Sequence, residues 1–188
     1  MTRLAFVVPL ALALAGCAAV TQPATTHNVA SADLKNATGQ SVGTATLTEV
    51  PGGVRIGVEV KALRAGTKGV HIHEVGTCDG PQFTTAGGHF NPEKKQHGAL
   101  NPQGPHGGDL PNLVVDSAGT GRLETTNNKI TLGAGPASLL DADGSALVIH
   151  AAPDDFRTDP TGNSGARIVC GVIVKRPPRQ EGSPRQGY

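Results

Sequence analysis

Six of the chain's seven histidines fall between residues 71 and 150. They occur as His71-Ile72-His73, His89-Phe90-Asn91-Pro92, His97, His106-Gly107-Gly108-Asp109 and Leu147-Val148-Ile149-His150. Any fold for this chain has to gather these rings or leave them wet. His71 and His73 are two apart, so on a strand both project to one side. His150 ends another apolar run, and these three converge if the two strands are neighbours. Imidazole suits zinc, copper, nickel and iron, and a carboxylate among imidazoles suits zinc. Six histidines and Asp109 are too many for one tetrahedral ion. They suffice for two ions that share a ligand. The bland alternative, a His-rich low-complexity metal buffer, fits poorly with well-patterned strands and turns.

The rest of the composition narrows the class. Lys and Arg number 16 against 15 Asp and Glu, so no basic stripe points to nucleic acid. Tyr188 is the sole Tyr and there is no Trp, which removes the aromatic platforms on which bases stack. Gly 26 and Pro 14 point to many turns.

The N-terminus has the pattern of an export signal. Arg3 precedes an apolar run, Leu4 to Ala15, too short to span a membrane. It leads into Leu14-Ala15-Gly16-Cys17, which looks like a bacterial lipobox. Residues 1–16 are then a signal peptide and 17–30 a lipidated N-terminus and flexible tether. An ordinary cleaved signal with an incidental cysteine is the other reading. With Cys17 lipidated, Cys78 and Cys170 remain, and an even pair in an exported chain reads as a disulfide rather than two separate buried thiols. His27 reads as a solvated tether residue.

Between the ends the rhythm is β. Residues 45–50 and 54–60 flank Pro51-Gly52-Gly53 as a hairpin. Residues 70–73, 113–115, 121–125, 146–149 and 167–174 continue as short strands, which argues for a sandwich or barrel. Residues 132–140 have room for one helical turn. Two long segments, 75–112 and 151–166, interrupt the rhythm, and loops of that length in a compact domain are functional or disordered. Residues 176–188, with Pro177-Pro178, predict a disordered tail.

At this point the chain resembles a known family, the copper/zinc superoxide dismutases of the bacterial exported lipoprotein type. The motifs that carry the likeness are Gly69-Val70-His71-Ile72-His73-Glu74, Ala86-Gly87-Gly88-His89-Phe90-Asn91-Pro92, the run from Gly104 to Leu113, and the run from Gly162 to Ile173. The likeness spans about Asp33 to Val174, within a domain placed at 31–175. It implies an all-β fold, an eight-stranded antiparallel Greek-key barrel or sandwich with two long functional loops. It implies copper on His71, His73, His89 and His150, and zinc on His89, His97, His106 and Asp109, with His89 as a bridging imidazolate that also moves a proton. Asp154 matches an outer aspartate that orients His71 and His97, and Arg167 matches the arginine that docks the substrate anion. Cys78 and Cys170 match the family disulfide.

The implied activity is conversion of superoxide to oxygen and hydrogen peroxide in the cell envelope, on the periplasmic or another extracytoplasmic face. A non-enzymatic copper/zinc lipoprotein on the same scaffold is the competing reading. Partners are superoxide and a membrane, with no nucleic acid, and the oligomeric state stays open, a homodimer among the options. The loop 151–166 holds Asp154, Asp155 and Asp159 against Arg157. Long-range steering of an anion from that loop is therefore not expected. Lys94 and Lys95 are substitutes for that role or ordinary solvated residues.

Overall fold

The computed structural model describes residues 27–179. These residues form ten strands and one 3₁₀ turn at Thr84–Ala86. The strands are β1 (His27–Asn36), β2 (Ser41–Val50), β3 (Gly53–Val60), β4 (Gly66–Lys68), β5 (Val70–His73), β6 (Leu113–Val115), β7 (Gly121–Asn127), β8 (Ala146–His150), β9 (Arg167–Val172) and β10 (Val174–Arg179).

All strand pairings are antiparallel and run β4-β6-β7-β3-β2-β1-β9-β8-β5, with β10 on β1. The two ends of that path, β4 and β5, are consecutive in the chain and separated only by Gly69. The sheet therefore curls back on itself as a nearly closed barrel, which removes most of its free edge. Gly69 is where the strand changes partners. A side chain there would press on Ser164 Cβ at 2.8 Å. Counting β4–β5 and β9–β10 as one strand each, across Gly69 and Ile173, gives the eight strands that the family resemblance implies.

The β2–β3 hairpin turns on Pro51-Gly52, with Val50 opposite Gly53. Along β3, Val54, Ile56, Val58 and Val60 are buried and alternate with more exposed neighbours, so one face lines the barrel interior. There they meet Leu34, Leu47, Ile72, Leu113, Leu147 and Ile149.

Strand β8 is buried on both faces. Leu147 and Ile149 enter the barrel core, whereas Ala146 and Val148 join a second apolar cluster with Phe83, Ala86 and Cys170. That outer cluster lies under the first long loop. Register continues the same face onto β5, where His73 sits opposite Ala146 and His71 opposite Val148. The histidines thus occupy the outer face of β5 and β8, roofed by loop.

Two boundaries and one local element differ from the sequence reading. His27 to Ala30, read as tether, form the start of β1, and the tail from Arg176 contributes β10 as far as Arg179. The two segments satisfy each other, with His27 opposite Arg179 and Ala30 opposite Lys175. Backbone pairing overrides their polar composition, and the prolines are tolerated on an edge strand. No helical turn forms in 132–140. Thr131 bridges Ser138 instead, since Gly133, Gly135 and Pro136 disfavour helix.

Candidate metal centre

The first long loop is not free of the sheet. Its residues His89 and Asp109 bridge to His73 and His71 of β5. Phe90 N donates to Ile72 O at 2.8 Å, and Ile72 N donates to Gly108 O at 2.8 Å. Gly108 is required here, because a Cβ would strike the Ile72 carbonyl. Two separated pieces of the loop are thereby laid beside the strand that carries two of the histidines.

One group of side chains comprises His71, His73, His89 and His150, all buried, with one ring nitrogen of each lying within 4.8 Å of the others. The rings of His71 and His89 stack at 3.9 Å. Each ring is held from behind by its other nitrogen. His73 Nδ1 is 3.0 Å from Gly87 O and His150 Nδ1 is 3.0 Å from Gly165 O. His71 Nε2 is 2.8 Å from Asp154 Oδ2. Carbonyls and carboxylates only accept, so these nitrogens carry the protons and the opposite ones carry lone pairs.

Those opposite atoms, His71 Nδ1 and Nε2 of His73, His89 and His150, are buried without a hydrogen-bond partner. Burial keeps the rings neutral, pushing His71 down to about 3, His73 to about 2 and His150 to about 4. Four converging lone pairs with nothing to donate to them are costly in a protein interior. A soft or borderline cation satisfies all four at once.

A second group centres on Asp109. Its Oδ1 is 3.0 Å from His89 Nδ1, 3.0 Å from His97 Nδ1 and 3.2 Å from His106 Nδ1. Its Oδ2 accepts from the backbone N–H of Gly98 at 2.9 Å and of His106 at 3.0 Å. Burial would raise the Asp109 pKa, but contacts with His106, His89 and His97 hold it far below the usual carboxylate range. Three imidazoles and a carboxylate are a tetrahedral zinc set. His89 faces the first group through Nε2 and the second through Nδ1.

Asp154 joins the two groups, its Oδ2 on His71 and its Oδ1 at 3.0 Å from His97 Nε2. Burial opposes protonation of His97, yet the carboxylates of Asp109 and Asp154 outweigh it and raise the ring to about 9 in the absence of metal. Asn112, to which sequence reasoning assigned no role, holds Asp154 by hydrogen bonds to both its backbone N–H and its carbonyl. The only signal was its place in the Gly104–Leu113 motif.

Arg167 on β9 sits opposite His150. Its Nη1 donates to Phe83 O at 2.7 Å and its Nη2 to Gly87 O at 2.6 Å. Gly87 O thus receives both Arg167 and His73. Burial lowers the guanidinium pKa from its ordinary value, and the group stays charged. On the same strand Cys170 forms a disulfide with Cys78, 92 residues away. Arginine and disulfide together fasten residues 78–87 to β9. Lys94 and Lys95 are exposed. Cys17 lies outside the described residues. Lys68, which sequence reasoning passed over, is buried with its Nζ on Ala151 O at 3.0 Å. It steadies the residue after His150.

The three aspartates of 151–166 are not free surface charges. Asp154 is buried in the site. Asp155 accepts from the backbone of Arg157 and Thr158 and from the side chains of Thr158 and Asn163, tying its own turn. Asp159 accepts from His97 N.

Residues 41–173 match the family described as copper/zinc superoxide dismutase (SODC). This chain belongs to that family. It is 48% identical over 144 residues to superoxide dismutase [Cu-Zn] 1 of Aquifex aeolicus (strain VF5), covering 76% of this chain and 85% of that one. It is 43% identical over 188 residues to superoxide dismutase [Cu-Zn] of Deinococcus radiodurans, covering 92% and 98%. Its structure resembles the crystal structure of a SOD-like protein from Bacillus subtilis, with a TM-score of 0.74, 42% identity, and 77% and 97% of the two chains covered. The copper/zinc superoxide dismutase fold is thus the barrel described above.

Proposed function

We propose that this protein converts superoxide to oxygen and hydrogen peroxide, with copper held by His71, His73, His89 and His150 and zinc by His89, His97, His106 and Asp109. Membership of the copper/zinc superoxide dismutase family supports both the reaction and the two metals. The observation that carries the site assignment is the convergence of four buried, unpartnered imidazole nitrogens. Beside them is a second set of ligand atoms, from His71, His89, His97 and Asp109, within 4.8 Å of one another, which His106 joins through Asp109 Oδ1 at 3.2 Å.

Bound there, copper supplies the one-electron redox change that the reaction needs, while zinc, which has no redox chemistry, supplies charge and geometry. The chain's own residues do the rest. Arg167 offers a fixed positive charge beside His150, and the N–H groups not used on Phe83 and Gly87 orient the anion. His89 would be the proton carrier: when its Nε2 is not engaged by copper that nitrogen can hold a proton and give it up toward peroxide, with solvent supplying the second proton. Asp154 and the carbonyls of Gly87 and Gly165 keep the ligand rings in the tautomers that present lone pairs.

The test is superoxide removal by protein loaded with copper and zinc, set against zinc alone. Activity that rises with copper content and is lost in His150→Ala supports the enzyme. Protein that fills both sites and leaves superoxide untouched would instead be a metal-binding lipoprotein.

The same proposal places the mature chain in the cell envelope, on an extracytoplasmic membrane face, held by lipid on Cys17. The support is the Leu14-Ala15-Gly16-Cys17 sequence after a short apolar run that follows Arg3. Acyl chains contribute about 0.8 kcal/mol per buried CH₂, so more than one holds a protein stably. Cys17→Ser protein that is exported and still sediments with membranes contradicts the anchor.

A further inference from the structure

Asp159 has no part in either group of metal-facing atoms, and it is about half exposed, its side chain at 47%. Nevertheless its Oδ1 accepts the backbone N–H of His97 at 2.6 Å. The same oxygen faces His106 Nε2 at 3.8 Å, too long for a direct hydrogen bond and close enough for its charge to act. His97 and His106 are two of the three imidazoles around Asp109. Both are therefore approached from outside the metal loop by one carboxylate of the other loop.

The loop 151–166 is built to reach this position. Gly162 lies so close to Asp154 and His97 that a Cβ would overlap both, and its φ of +62° favours glycine. Leu100 N donates to Phe156 O at 2.9 Å, which docks the two loops beside the same histidine. His97 is consequently held on three sides by 151–166: by Asp154 at Nε2, by Asp159 at its backbone, and by Gly162 against the ring edge.

We infer that Asp159 is a positioning residue for the zinc centre, fixing the backbone of His97 and placing negative charge behind His106. This rests on the two-metal reading above. A carboxylate behind a ligating imidazole raises the ligand's basicity and fixes its orientation. Asp159 is thus to His106 and the His97 backbone what Asp154 is to the rings of His71 and His97. The negative charge of this loop serves metal retention rather than the steering of substrate.

The experiment measures zinc affinity of the full folded protein by competition with a chromophoric chelator, with copper affinity measured alongside. Asp159→Ala, Asp159→Asn and Asp155→Ala are compared with wild type. Asp155 ties the same loop without touching either histidine, so it reports loop order alone. Asp159→Ala is expected to weaken zinc about 10- to 100-fold with copper affinity little changed. Asp159→Asn keeps an oxygen for His97 N, stays folded, and loses less. Equal zinc affinity in wild type and Asp159→Ala overturns the inference. An Asp155→Ala loss as large as that of Asp159→Ala also overturns it, because loop order then suffices. Wild-type protein that takes up no zinc overturns this inference and the two-metal reading together, whereas the preceding outcomes leave the latter standing.

Discussion

Asn112 clasps the backbone of Asp154 at both of its polar atoms. Its Nδ2 donates to Asp154 O at 2.9 Å, and its Oδ1 accepts Asp154 N–H at 2.8 Å. Asn112 immediately precedes β6 and Asp154 lies beyond β8, so a residue outside the metal cluster sets the carboxylate that orients rings in both groups. Asn112→Ala leaves two backbone groups without partners, at about 1–3 kcal/mol for each that stays buried. We expect Asn112→Ala to lower the thermal midpoint and weaken retention of both metals by about tenfold or more, as loss of outer-shell support does. Metal content after dialysis against chelator checks this. A variant that retains both metals like wild type contradicts it.

Removing the disulfide should do more than loosen the chain. Loss of a native disulfide costs about 2–5 kcal/mol. Here it also frees residues 78–87, which supply the Phe83 and Gly87 carbonyls to Arg167 and the Gly87 carbonyl to His73. Cys78→Ser/Cys170→Ser protein should unfold at lower urea and lose copper more readily than zinc. An unchanged urea midpoint contradicts the structural part of this expectation. Equal loss of the two metals contradicts the rest.

The metal-free protein should be most stable near about pH 6.5, the ordinary histidine value. His71, His73 and His150 have folded values of about 3, 2 and 4, so below pH 6.5 the unfolded chain binds protons that the folded chain refuses. Stability is therefore lost as pH falls through that window. His97 has a folded value of about 9, so its contribution is complete below 6.5 and is lost as pH rises toward 9. Zinc at His97 displaces that proton, which removes the alkaline loss. Urea midpoints from about pH 5 to 9 in chelator check this. A midpoint that rises steadily to pH 9 without metal contradicts it.

Much of this site is legible in the chain because its chemistry lies in short periodic segments. The period of two carries His71 and His73 directly onto one face of β5, and the apolar run before His150 becomes β8. The histidines of the long loop signal that it is ordered, but not how. Its contact with the sheet is made by backbone at Ile72, Phe90 and Gly108, which no side-chain pattern announces. The roles of Asn112 and Asp159 leave no local pattern for a related reason, since each acts through backbone atoms of a residue more than 40 positions away. β1 and β10 occupy segments whose composition reads as tether and tail, because they pair with each other, and pairing between residues about 150 apart leaves no local trace.

The central claim is that His89 is shared by two metals. Copper and zinc content of His89→Ala, measured by elemental analysis beside His150→Ala, tests it most directly. The account predicts that His150→Ala keeps zinc and loses copper, whereas His89→Ala fails to hold both metals at full occupancy. One copper and one zinc per chain in His89→Ala, retained through dialysis against chelator, would contradict the shared ligand and with it this arrangement of the site.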